Sequence, residues 1–117
     1  MGTLRQAYEI EVLAARAAAA AGATRDAFRH LERAHILGQR RTWAHVRSHW
    51  LMLRLGLAAG DWREVKGQLV RIVAAALFSR IWVPAGNTGR ASVSAMQPMG
   101  MPDDLRLLLD TEGASWR

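Results

Sequence analysis

Apolar residues along the first 80 positions recur every three or four residues in four successive runs, the spacing of helices that each bury one face. Glycines end three of these runs, at Gly22, Gly38 and Gly60. The pattern predicts helices over about 3–21, 24–38, 42–60 and 61–80, with Thr3, Thr24, Thr42 and Asp61 as the N-caps. The short turns between them predict two antiparallel helical hairpins.

The same periodicity predicts which side of the later helices is buried. In the third helix the apolar stripe consists of Val46, Trp50, Leu53 and Leu57. In the fourth helix it consists of Val65, Leu69, Ile72, Val73 and Leu77. We expect both stripes to face the core.

After position 80 the helical pattern is interrupted by prolines and glycines, from Pro84 to Pro102. Apolar residues such as Trp82, Val93 and Met99 continue through this stretch, so we predict an extended segment over 81–101 that lies across the bundle. A short amphipathic helix is predicted over 102–110. The fold class is therefore all-α, in a single helical domain over 1–117.

Two resemblances accompany this pattern. The second helix of each hairpin resembles that of a tetratricopeptide repeat, with Ala27, Leu31 and Ala34 after Gly22, and Val65, Leu69 and Ile72 after Gly60-Asp61-Trp62. This implies a TPR-like four-helix array. Nearly end to end, the chain also resembles a small uncharacterised bacterial family, through His30–His35, His45–Trp50 and Trp82–Leu105. That resemblance implies no established activity.

Composition and charge exclude several classes of protein and of binding site. The chain has no cysteine, which excludes disulfides and thiolate metal sites, and no apolar run long enough to cross a membrane. We expect a cytoplasmic protein without a secretory signal. The net charge of +6 comes from basic residues spread along the chain, so nucleic-acid binding is not expected. An Arg25-Arg29-Arg33 stripe could still bind an acidic protein partner.

All four histidines fall between positions 30 and 49, on the adjoining parts of the second and third helices. If the helices double back near Ala23 and Arg40, then Glu11, His35 and His45 share one level of the bundle. Glu32 and His49 lie about one turn away. His30 points elsewhere, because it is five residues from His35.

Imidazoles and carboxylates together are ligands for divalent transition metals. The sequence therefore predicts a site for Zn, Fe, Mn, Ni or Cu, with Glu9 as a reserve ligand. Its candidate ligands are Glu11, Glu32, His35, His45 and His49. Metal handling or sensing is the leading hypothesis, and no substrate or reaction is indicated.

Two alternatives remain open at this point. The polar cluster could simply fix helix packing through hydrogen bonds. The protein could also be a TPR-like interaction module that holds an acidic peptide and needs no metal. Spare apolar surface on two hairpins would be compatible with a homodimer.

Overall fold

A computed structural model describes residues 3–78, 89–91, 99–112 and 116, and all regular structure in these ranges is helical. The helices are α1 (Leu4–Ala20), α2 (Thr24–Gly38), α3 (Thr42–Ala59), α4 (Trp62–Phe78) and α5 (Asp103–Glu112). The all-α prediction is confirmed, and the four long helices begin and end within about two residues of their predicted positions.

Local side-chain chemistry explains two of the helix starts. Thr3 forms a capping box with Gln6, in which each side chain binds the other's backbone N–H. Asp61 accepts a hydrogen bond from the backbone N–H of Glu64 at 3.1 Å. The predictions of Thr24 and Thr42 as caps are wrong, because each is the first helical residue and the preceding residue occupies the cap position.

The helices pack as two hairpins, α1 with α2 and α3 with α4, and the hairpins meet where α2 lies against α3. One apolar cluster joins α1, α2, the start of α3 and α5, and includes Leu4, Tyr8, Val12, Leu37 and Leu105. A second joins α1, α2 and α3, and includes Ala15, Phe28, Leu31, Met52 and Leu55. Among the described residues, no helix combines the length and the apolar character needed to cross a bilayer.

Helix α5 closes one end of the first hairpin. Leu105 is fully buried against α1 and α2, and Asp104 forms an ion pair with Arg33 of α2. The sequence predicted this helix over 102–110, and the structure confirms it. Most of the extended segment predicted over 81–101 lies outside the described residues, which include only 89–91 and 99–101 of it.

The predicted buried faces of α3 and α4 are largely wrong. Trp50 and Leu57 of α3 are about half exposed, and Leu69, Val73 and Leu77 of α4 are 53 to 65% exposed. Leu53 and Val65 of the two stripes are buried as predicted, but much of the rest of the inward surface is polar: His45, Ser48 and His49 on α3, and Glu64 and Gln68 on α4. The apolar stripes were assigned inward because burial of apolar surface usually decides helix orientation. Here a polar network occupies the interface instead.

Candidate metal centre

Three histidine rings meet in the interior between α2 and α3. His35 comes from α2, and His45 and His49 come from successive turns of α3; each residue is 2 to 6% exposed. The ring centroids lie 4.7, 4.7 and 4.9 Å apart, in a nearly equilateral triangle. One nitrogen from each ring lies within 4.8 Å of the others. We call this group the histidine trio.

Burial keeps two of these rings neutral. The pKa of His45 is lowered to about 3, mainly by burial and further by His49. The pKa of His49 is lowered to about 4, mainly by burial, while its hydrogen bond to Gln68 opposes the shift and the charge of Arg71 adds to it. Both imidazoles therefore carry a free nitrogen lone pair at neutral pH, which is the form that binds metals.

Gln68 of α4 fixes which nitrogen of His49 carries its hydrogen. The amide nitrogen of Gln68 donates to a Glu64 carboxylate oxygen at 2.5 Å and to the Gly89 carbonyl at 2.9 Å, and both groups can only accept. The Gln68 oxygen therefore faces His49 and accepts from its Nδ1–H at 2.5 Å. Nε2 of His49 is then the nitrogen without a hydrogen, and it accepts the hydrogen bond that joins it to Nε2 of His35 at 3.2 Å.

Glu64 is in turn held by a short piece of chain, Gly89 to Ala91, which we call the strap. The carboxylate of Glu64 is almost fully buried and forms an ion pair with Arg90 and accepts from the Ala91 backbone N–H at 3.0 Å. Arg90 also binds Glu32 of α2 at 3.1 Å and lies 3.9 Å over the ring of Phe28. The strap thus connects α2 to α4 beside the trio.

Gly89 lies directly against His35. Its φ angle is +80°, and a Cβ atom at this position would lie 2.6 Å from Cδ2 of the His35 ring. Such an approach is shorter than any ordinary carbon contact, so only glycine fits between the strap and the ring. The carbonyl of Gly89 also accepts hydrogen bonds from Gln68 and Arg71.

We expect Gly89→Ala to lower the free energy of unfolding by about 1–3 kcal/mol, through left-handed backbone strain and the clash with His35. Urea denaturation of the two proteins measures this difference. Gly22→Ala is the matched control, because Gly22 has a φ of +77° but no atom within 4 Å of the added methyl. If both variants lose the same free energy of unfolding, the contact between position 89 and His35 does not affect stability.

Two features of the trio fit a bound metal ion. Nitrogens about 2.0–2.1 Å from a shared ion are about 3.3–3.6 Å apart, slightly more than the 3.2 Å between the Nε2 atoms of His35 and His49, a spacing that a hydrogen bond between the two rings also gives. Nδ1 of His45 is buried and has no hydrogen-bond partner among the described residues, which is uncommon for a ring nitrogen. This nitrogen has no partner in the described part of the chain, and it lies beside two other imidazole rings. A cation held between the three rings would give it one.

The carboxylates predicted as ligands lie outside the trio. Glu11 accepts from His30 and Arg33, at 2.7 Å in both cases, and so faces a different side of α2. Positions 30 and 33 lie about 150° around a helix from position 35, so sharing a level did not mean sharing a face. Glu32 forms an ion pair with Arg90 at 3.1 Å. Glu9, the reserve ligand, pairs with Arg47 at 2.8 Å.

Sequence reasoning missed the residues that support the trio: Glu64, Gln68, Arg71, Gly89 and Arg90. A signal for the first three was present, because positions 64, 68 and 71 form a polar stripe at helical spacing along α4. Gln68 connects this stripe to the trio, since it contacts both Glu64 and His49.

Comparison with known proteins gives the chain a family. No curated protein and no solved structure matches it. Residues 2–109 match the model of DUF3703, which is described as a protein of unknown function. This agrees with the resemblance to an uncharacterised family that the sequence suggested. Because the match covers nearly the whole chain, the protein belongs to the DUF3703 family.

Proposed function

We propose that this protein binds one transition-metal ion between His35, His45 and His49, and that it serves in metal handling or sensing. The observation that carries the proposal is the convergence of three buried imidazoles, whose nitrogens lie within 4.8 Å of one another. The set of candidate ions from the sequence, Zn, Fe, Mn, Ni and Cu, suits imidazole ligands.

The surroundings of the trio support a binding role more than a catalytic one. Gly89 packs on the His35 ring, and all three histidines are almost fully buried. A catalytic metal needs a coordination position that is open to substrate. The enclosed trio instead suits an ion that is stored, passed on or sensed.

The hydrogen-bond chain behind His49 also suits a metal ligand. Histidine ligands usually donate their second ring N–H to a fixed acceptor, which sets the tautomer and the ring orientation. Gln68 supplies this acceptor for His49, and Glu64 holds Gln68 in place.

The test is metal analysis of untagged protein, followed by titration of protein stripped with a chelator. We expect wild type to bind one ion per chain, and His35→Ala and His49→Ala each to weaken that binding at least about a hundredfold. His30→Ala is the matched control, because His30 pairs with Glu11 outside the trio. Wild type that takes up no ion, or variants that bind as well as wild type, would contradict the proposal.

The alternative role, binding of an acidic partner on the Arg25-Arg29-Arg33 stripe, has less support. Arg33 is engaged by Glu11 and Asp104 within the chain. Only Arg25 and Arg29 of the stripe are exposed. Two exposed arginines on a surface helix are ordinary for a chain with this charge.

A further inference from the structure

We infer that the histidine trio selects the monovalent copper ion Cu(I) over divalent ions. This inference rests on the proposed function, since it names the ion for the same site. It is drawn from three properties of the site: the number of donors, the charges around them, and the space that remains.

The number of donors suits an ion of low coordination number. The trio supplies three imidazole nitrogens, and among the described residues no carboxylate joins them; Glu32 and Glu64 are both engaged by Arg90. Zinc in proteins is almost always four-coordinate and would need a further ligand here. Cu(I), a filled-shell ion, is satisfied by two or three ligands.

The charges around the trio favour an ion of low charge. Arg90 pairs with Glu32 and Glu64, and Arg71 donates to the carbonyl of Gly89, which packs on His35, so these four side chains around the trio carry no net charge. The cost of moving an ion from water to a buried site rises with the square of its charge, so a divalent ion costs about four times as much as a monovalent one. Among the described residues, the trio has no anionic ligand that would offset that difference.

The space beside the trio is restricted. A methyl group added at Gly89 would overlap the His35 ring, and the three histidines are 2 to 6% exposed. A divalent ion could reduce its net charge by binding hydroxide or another small anion as the fourth ligand. The strap packs on the His35 ring and so leaves less room for such a ligand on that side of the trio.

The experiment compares Cu(I) and Zn(II) binding to untagged, chelator-stripped protein. Cu(I) is titrated without oxygen against bicinchoninate, and Zn(II) against a chromophoric chelator. We expect Cu(I) to bind one ion per chain at least about a hundredfold more tightly than Zn(II). The X-ray absorption edge of the copper complex should show the strong feature of three-coordinate Cu(I), with nitrogen neighbours.

The outcomes separate this inference from the proposed function. If Zn(II) binds as tightly as Cu(I), or more tightly, selection of Cu(I) is contradicted while metal binding by the trio stands. If neither ion binds, nor any other divalent ion, the proposed function itself fails. A four-coordinate copper spectrum would also contradict the inference.

Arg71→Met tests the charge argument directly. Arg71 lies close enough to lower the pKa of His49, and methionine keeps much of the side-chain volume without the charge. Removing this positive charge should strengthen the binding of a divalent ion more than the binding of Cu(I). The ratio of the Cu(I) affinity to the Zn(II) affinity should therefore fall by about tenfold. A ratio of affinities unchanged from wild type, in a variant that folds by circular dichroism, would overturn the electrostatic basis of the inference.

Discussion

Metal-free protein should lose about 2–5 kcal/mol of its free energy of unfolding when the pH falls from 7 to 4.5. In the unfolded chain, His45 and His49 take up protons near pH 6.5, whereas in the folded protein their pKa values are about 3 and 4. Between these values the unfolded state binds more protons. Stability therefore falls as the pH decreases through this window, and it is fully present only above about pH 6.5.

Urea denaturation at a series of pH values in the presence of a chelator measures this loss. His45→Phe removes one buried titrating group and should flatten the dependence on pH, even if the variant is less stable at pH 7. His30→Gln serves as the control, because His30 lies in the partly exposed pair with Glu11. A wild-type stability that stays constant from pH 7 to 4.5 would show that the two rings are not buried in neutral form.

Glu64→Ala should destabilise the protein by about 3 kcal/mol or more. The substitution leaves Arg90 without its buried partner, and it removes the acceptors for Gln68 and for the Ala91 backbone N–H. Freed from Glu64, the Gln68 amide can rotate, so the tautomer of His49 is no longer fixed. Urea denaturation at pH 7 measures the loss of stability, and nitrogen NMR of the His49 ring measures the tautomer.

Two further variants serve as controls for Glu64→Ala. Glu9→Ala removes a carboxylate from the more exposed pair with Arg47 and should cost at most about 1 kcal/mol. Glu64→Gln keeps the size and an acceptor oxygen but removes the charge, so it separates the ion pair with Arg90 from simple hydrogen bonding. If Glu64→Ala costs no more than Glu9→Ala, the network behind the trio does not stabilise the fold.

The helices were predictable because their signals are local. Periodic apolar residues and the glycines at positions 22, 38 and 60 act within a few residues of each helix end. The meeting of His35 with His45 also followed from the sequence, because a short turn after α2 brings both positions to one level. Levels along a hairpin depend only on where the chain reverses, so they can be counted from the sequence.

Rotation about the helix axes could not be predicted in the same way. Glu11 shares the predicted level but faces His30 and Arg33, and Leu69 and Val73 of α4 face outward. Which face turns inward depends on a partner distant in the chain. For α4 that partner includes the strap, since Gly89 and Ala91 meet Gln68 and Glu64 across more than 20 residues of sequence. No pattern in the neighbouring sequence predicts this contact.

The polar inner face of α4 has a consequence for how the protein opens. A helix held mainly by hydrogen bonds and an ion pair exposes little apolar surface when it separates from its neighbours, so its separation is opposed by less hydrophobic free energy. Because Gln68 and Glu64 lie on that face, transient detachment of α4 would uncover the edge of His49. Partial unfolding of one helix would thus provide a path to the trio for the ion whose binding we propose.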